Sequence, residues 1–165
     1  MEIWDAYNEN LEKIGIDLIR GERIPEGMYH LAAEVIVKHI EGDYLLMTRD
    51  PSKEAYPGYE TLGTCGAVLK GENGYEGALR ELREESGIYA TTLTPLNQYI
   101  SKEQRRIYVS YYTEVDCDKD SITLQEGETV AYRWISLEEV LDFLKSDLCI
   151  PSQRLRLQAY FESIR

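Results

Sequence analysis

The chain has few of the residues that build redox, thiolate-metal or imidazole-metal centres: three cysteines (Cys65, Cys117, Cys149) and two histidines (His30, His39) among 165 residues. An odd cysteine count without metal-knuckle spacing points to neither a disulfide framework nor a zinc site, so reduced thiols are expected. Basic residues are also in deficit, 18 against 30 acidic, for a formal net charge of -12. Long nucleic acid is therefore not an expected partner, because phosphate backbones are bound by surplus Lys and Arg. A basic leader followed by an apolar run is missing, and no stretch approaches the roughly 20 apolar residues that cross a bilayer. The expectation is a cytoplasmic protein with no membrane contact.

Hydrophobic residues make up 43 % of the sequence, enough at this length for one compact domain with a real core, spanning residues 1–165. A homodimer is compatible with that composition. The acidic surplus still admits a small phosphate ligand, provided cations neutralise part of the repulsion.

Short runs rich in branched and aromatic residues predict strands at Ile3–Tyr7, Ile14–Ile19, Leu31–Ile40, Tyr44–Thr48, Tyr59–Thr64, Leu93–Ile100, Ile107–Val115 and Val130–Ile135. Gly42-Asp43 reads as a hairpin turn between the third and fourth. Three segments predict helices. One runs from about Gly74 to Ser86, with Asn73 as N-cap, Glu76 as its capping-box partner and Gly87 as the stop. A second begins at Ser136, with Glu139 completing a box and Leu137, Val140, Leu141 and Leu144 at helical spacing. A third follows Pro151. Strands with interspersed helices imply one α/β or α+β domain.

The first helix carries the chemistry. At about 100° per residue, Glu81, Glu84 and Glu85 share a roughly 100° arc, while Ala78, Leu79 and Leu82 project from the opposite side to anchor it. Like charges at i,i+3 and i,i+4 repel by a few tenths of a kcal/mol, so the cluster disfavours a purely structural helix; bound cations would reverse the sign. Hard carboxylate oxygens without nearby His or Cys pairs suit Mg²⁺, or alternatively Mn²⁺, better than zinc. Gly66, Gly71 and Gly74 in the preceding loop let backbone turn sharply and approach a ligand. An EF-hand at Asp116, Asp118 and Asp120 is rejected, because Ser121 and Gly127 occupy the positions that need Gly and Glu.

The segment Gly66 to Ile88, GAVLKGENGYEGALRELREESGI, matches the Nudix box G-x5-E-x7-R-E-U-x-E-E-x-G-U at Gly66, Glu72, Arg80, Glu81, Leu82, Glu84, Glu85, Gly87 and Ile88. The chance of such a match is on the order of one in a million. The chain thus resembles the Nudix hydrolase superfamily. That resemblance implies an α/β/α sandwich around a mixed sheet, and attack of a metal-activated water on a phosphorus of a small-molecule diphosphate, usually a nucleoside diphosphate derivative. It implies Glu81, Glu84 and Glu85 as metal ligands, one of them serving as general base, with the backbone carbonyl of Cys65 as a further ligand. Arg80 would orient a carboxylate and Glu72 would fix the loop. A late acidic residue, Glu126 or Glu128, would complete the site.

Ile3-Trp4-Asp5, Pro25-Glu26-Gly27, Tyr29-His30-Leu31, Arg49 and Tyr56-Pro57-Gly58 resemble the branch of the superfamily related to isopentenyl diphosphate isomerase. Arg49 and Tyr56 are candidates for substrate binding. In that isomerase a catalytic cysteine precedes the first box glycine, as Cys65 does here, and a metal-binding histidine follows it, where this chain has Ala67. The hydrolase reading is preferred on that account. Isomerase chemistry is the first alternative, and a nucleotide-binding regulatory module without turnover is the second. His30 and His39, each in or beside a strand, are read as structural.

Overall fold

Alternation along one central strand decides the architecture. The computed structural model describes residues 1–165. In it the strands are β1 (Ile3–Tyr7), β2 (Lys13–Ile19), β3 (His30–His39), β4 (Tyr44–Arg49), β5 (Glu60–Leu62), β6 (Thr64–Ala67), β7 (Thr94–Ser101), β8 (Arg106–Val115) and β9 (Thr129–Ile135), and the helices are α1 (Gly74–Ser86), α2 (Leu137–Leu144) and α3 (Pro151–Ser163). Successive side chains on a strand point to opposite faces. Leu31, Ala33, Val35 and Val37 of β3 accordingly pack into one core with Ala78 and Leu82 of α1. Ile36 joins the other core, with Tyr44 and Leu46 of β4, Val140, Phe143 and Leu144 of α2, and Leu157 and Phe161 of α3. Helices therefore cover both faces of the sheet, the expected α/β/α arrangement. Leu82 is fully buried; its truncation to Ala would cost about 2–5 kcal/mol.

The main sheet is mixed and seven-stranded, in the order β5-β4-β3-β8-β7, with β6 also on β3 and β9 also on β4. β3 and β8 run parallel from His30↔Arg106 to His39↔Val115, while the other pairs are antiparallel. β1 and β2 form a separate hairpin. The turn at Gly42-Asp43 closes as expected, with the Asp43 carbonyl accepting from the His39 N–H at 2.7 Å.

The run Tyr59–Thr64, read from sequence as one strand, is two. Gly63 sits at φ +63, and a Cβ there would lie 1.8 Å from the Val35 carbonyl oxygen, so only glycine fits. At this point the chain leaves β4 and joins β3. β6 then lies against β3 with Cys65 opposite Glu34, Gly66 opposite Ala33 and Ala67 opposite Ala32. The β3–β4 ladder holds only at Lys38↔Tyr44. Beyond it the two strands part, and a cleft opens at the β6 end of the sheet.

Candidate active site

The cleft encloses about 1390 Å³ and is bordered by α1, β6, the β1–β2 hairpin, the β4–β5 loop, the loop before β9 and the start of α3. α1 is held firmly on its sheet side. The Asn73 side chain accepts from the Glu76 N–H at 2.8 Å and the Glu76 carboxylate accepts from the Asn73 N–H at 3.2 Å, a reciprocal cap worth roughly 1 kcal/mol. At the other end the Gly87 N–H donates to the Arg83 carbonyl at 2.8 Å. With Ala78 and Leu82 facing the core, Glu81, Glu84 and Glu85 are turned to the cleft, which all three line. Of the apolar anchors, Leu79 is only partly buried.

Burial pushes the Glu85 carboxyl well above its ordinary range, reinforced by the charge of Glu81, a hydrogen bond with Glu81, and the charge of Glu128. Glu81 is raised by burial too, against the opposing pull of Arg80. A methyl at Gly66 would lie 2.1 Å from the Glu81 carboxyl carbon. The first box glycine is thus the space the Glu81 carboxylate fills. Of the loop glycines only Gly71 has a positive φ, +88; Gly66 and Gly74 supply room, since a Cβ at Gly74 would meet Val109 at 2.9 Å.

Arg80 holds this face to the loop. Its Nε donates to Glu72 Oε1 at 2.6 Å and its Nη2 to Glu72 Oε2 at 3.0 Å and the Ala67 carbonyl at 2.9 Å. Nη1 reaches Glu81 at 2.7 Å and Glu84 at 3.2 Å. Glu72 also accepts from the Leu69 N–H at 2.9 Å. Burial works against the Glu72 charge, yet Arg80 and the Leu69 amide hold its carboxyl below the usual range. With Arg80 drawing Glu81 and Glu84 to itself, no three acidic, His or Cys side chains cage a cation as they stand.

The late acids separate clearly. Glu128 lines the cleft, whereas Glu126 is exposed and lies outside its lining. Glu128 is paired with Lys53 Nζ, a side chain that no motif in the sequence marks. Arg49 and Tyr56 both line the cleft. The Arg49 guanidinium donates to the carbonyls of Ala55 at 2.8 Å and Tyr56 at 3.2 Å, so it braces the β4–β5 loop as well as facing the opening.

Cys65 also borders the cleft. Burial and the neighbouring Glu34 push its thiol up to about 12. His30 is only 2 % exposed and stacks on Trp4 at 4.2 Å between ring centroids. Its Nε2 accepts from Arg106 Nε at 2.8 Å. Burial, then the charges of Arg106 and Arg20, push it down to about 3, so it is neutral with the proton on Nδ1. His39 is remote from this group, with Nε2 against the Cys117 carbonyl at 2.8 Å and its ring edge-on to Trp134.

A buried polar network behind Cys65 escaped sequence reading altogether. Glu34 is fully buried and bonded by Arg156, Gln153 and Ser110. Arg156 lies 3.8 Å over the Tyr108 ring. The available signal was a single Glu inside the apolar run Leu31–Ile40, because a carboxylate so placed needs a buried partner.

Comparison with known proteins agrees with this geometry. Residues 28–152 match the model of the NUDIX domain. The chain is 32 % identical to an uncharacterized Nudix hydrolase of Listeria monocytogenes, over 92 % of this chain and 89 % of that one. It is 28 % identical to the isopentenyl-diphosphate Delta-isomerase of Citrobacter koseri, over 84 % of this chain and 79 % of that one. The crystal structure of DR0079 from Deinococcus radiodurans superposes with a TM-score of 0.72 at 22 % identity, covering 88 % of this chain and 90 % of that chain. Because the domain match runs through the strands on both sides of α1 as well as α1 itself, the likeness is one of whole fold and not of a short motif, and the chain belongs to the Nudix family of hydrolases.

Proposed function

We propose that this hydrolase cleaves the diphosphate linkage of a small molecule, such as a nucleoside diphosphate derivative, with Mg²⁺ (or Mn²⁺) held by Glu81, Glu84, Glu85 and Glu128. The observation that carries the reading is the Glu81 carboxylate set against Gly66 and hydrogen-bonded to Glu85, with Glu128 close enough to act on Glu85. The donor set fits a hard cation: it is all carboxylate, and its mutual repulsion and burial are unfavourable until a cation offsets them. Arg80 stands between Glu81 and Glu84 in the role of counter-charge, which a bound cation would share. The Cys65 backbone carbonyl is a further candidate ligand.

Such a cation, when bound, lowers the pKa of a water and offsets charge building on the phosphoryl group. One of these carboxylates would take the proton of that water as general base. Glu72 and Arg80 keep the loop and the α1 face in register. Lys53, paired to Glu128, and Arg49, at the opening, supply positive charge for the diphosphate oxygens, and Tyr56 offers a ring at the rim.

Isomerisation is less well supported. Ala67 has no donor where that chemistry needs an imidazole, and the Nε2 of His30 is engaged by Arg106. A panel of nucleoside diphosphates, triphosphates, nucleotide sugars and dinucleotides, reacted in ¹⁸O-labelled water, tests the proposal. Label should enter one released phosphate group at a rate that depends on Mg²⁺ and vanishes with chelator. If no diphosphate gains label, yet isopentenyl diphosphate converts to its dimethylallyl isomer, hydrolysis is the wrong reading.

A further inference from the structure

Opposite the carboxylate wall the cleft has a second, differently charged wall. Its residues come from the even-numbered positions of β3 and β8: His30 beside Arg106 and Ala32 beside Tyr108, with Arg156 of α3 stacked on Tyr108. Arg106 takes part in no salt bridge. Its contacts are His30 Nε2 at 2.8 Å and the Tyr108 hydroxyl at 3.2 Å, both uncharged. An uncompensated guanidinium at a cleft in a chain of net charge -12 is a local exception to the surrounding field.

Two further donors have no partner. His30 Nδ1 and Arg156 Nη1 are buried and make no hydrogen bond, although both residues border the cleft and are only 2 % and 6 % exposed. The rest of Arg156 is accounted for, since Nε and Nη2 go to Glu34, whose oxygens are further saturated by Ser110 and Gln153. A buried donor left unmade is costly, and native structures keep such groups where a ligand or water completes them. The charged donor of Arg156 and the neutral N–H of His30, beside the unpaired guanidinium of Arg106, favour an anionic acceptor over a neutral carbonyl.

The registers set the span. Gly66, which faces Glu81, pairs with Ala33, while His30 and Arg106 lie three residues farther along and one or two strands across. Strand geometry puts that backbone position roughly 11–14 Å from Gly66, against which the Glu81 carboxylate lies. We infer that Arg106, Arg156 and His30 form a specificity subsite for a second anionic group, a phosphate or carboxylate, carried by the substrate beyond its scissile diphosphate.

This inference rests on the hydrolase reading for its orientation, and its test separates the two. Two matched pairs of probes differ by one anionic group: NADPH against NADH for a phosphate, and UDP-glucuronate against UDP-glucose for a carboxylate. Calorimetric Kd values and kcat/KM are measured for each, in Mg²⁺, with the wild-type enzyme. In at least one pair the anionic member should bind tenfold or more tighter, and the pair that does so tells phosphate from carboxylate. That ratio should fall below about threefold in Arg106→Gln and Arg156→Gln. Arg156→Gln strands the Glu34 carboxylate and costs stability, so Arg106→Gln, which strands no acid, carries the test if the other fails to fold. Equal affinities within both pairs, or a preference that survives Arg106→Gln, overturn the subsite. A preference in binding without hydrolysis of any diphosphate would leave the subsite standing and remove the proposed reaction, and hydrolysis without preference would do the reverse.

Discussion

Replacing Gly66 by Ala tests the site where sequence and geometry meet most tightly. The added methyl would stand 2.1 Å from the Glu81 carboxyl carbon and 2.4 and 2.5 Å from its oxygens, against ordinary contact distances of about 3.5–4 Å. The carboxylate must retreat by about 1–1.5 Å, breaking its contact with Arg80. Because the clash falls on the end of a flexible side chain and not on backbone, the overpacking cost should stay near 1–3 kcal/mol, a fall in Tm of about 2–12 °C. Function should suffer far more, since a displacement of about 1 Å in a reacting constellation costs on the order of a hundredfold. The assay pairs a thermal melt with kcat at saturating Mg²⁺. The double variant Gly66→Ala, Glu81→Asp shortens the acid into the remaining space and should recover part of the loss, a non-additivity of the kind expected for contacting residues. A folded Gly66→Ala enzyme with wild-type kcat would refute the placement of Glu81 in the reaction.

Glu84→Gln and Glu85→Gln should each lower kcat at least about a hundredfold with folding retained; near-normal turnover in both would sink the metal assignment. Cys65→Ser should keep most hydrolytic activity, and the native Cys65 thiol, half-buried at the cleft and pushed up to about 12, should react slowly with iodoacetamide at pH 8; rapid labelling of the native enzyme at Cys65 would contradict that raised value. The raised Glu85 carboxyl gives a sign for pH: the folded state holds this proton more tightly than the unfolded chain, so stability is fullest below the ordinary value of about 4.5 and declines as pH rises toward the folded value. Metal-free protein should therefore lose Tm as pH rises above about 4.5, Mg²⁺ should restore it most at the upper end, and Glu85→Gln should flatten the slope; an equal slope in that variant would assign it elsewhere.

Much of this was legible in local pattern. The cap at Asn73 and the stop at Gly87 bounded α1 correctly because both signals act within one turn of the helix end. Strands β1 to β4 and β7 to β9 were found to within a residue or two, because runs of branched and aromatic residues are likewise a local signal. The split at Gly63 was not, since the cause is a carbonyl of Val35, distant in sequence, pressing on that position. Choosing Glu128 over Glu126 likewise required the turn before β9, where a shift of two residues moves an acid from the cleft to solvent. Arg106 and Arg156 were invisible because a basic residue in a strand or a terminal helix carries no mark of what it faces; only the register of β8 on β3 and the docking of α3 bring them together.

The division of β3 between its two faces has a practical consequence for engineering and for divergence. Odd positions are committed to the packing under α1, so changes there disturb the machinery that breaks the bond. His30 and Ala32, and their neighbours Arg106 and Tyr108 across the parallel ladder, look the other way. Under the proposed subsite, a library confined to these four codons would alter selectivity without touching the packing under α1, so selectivity and catalysis would drift on separate clocks across one parallel ladder.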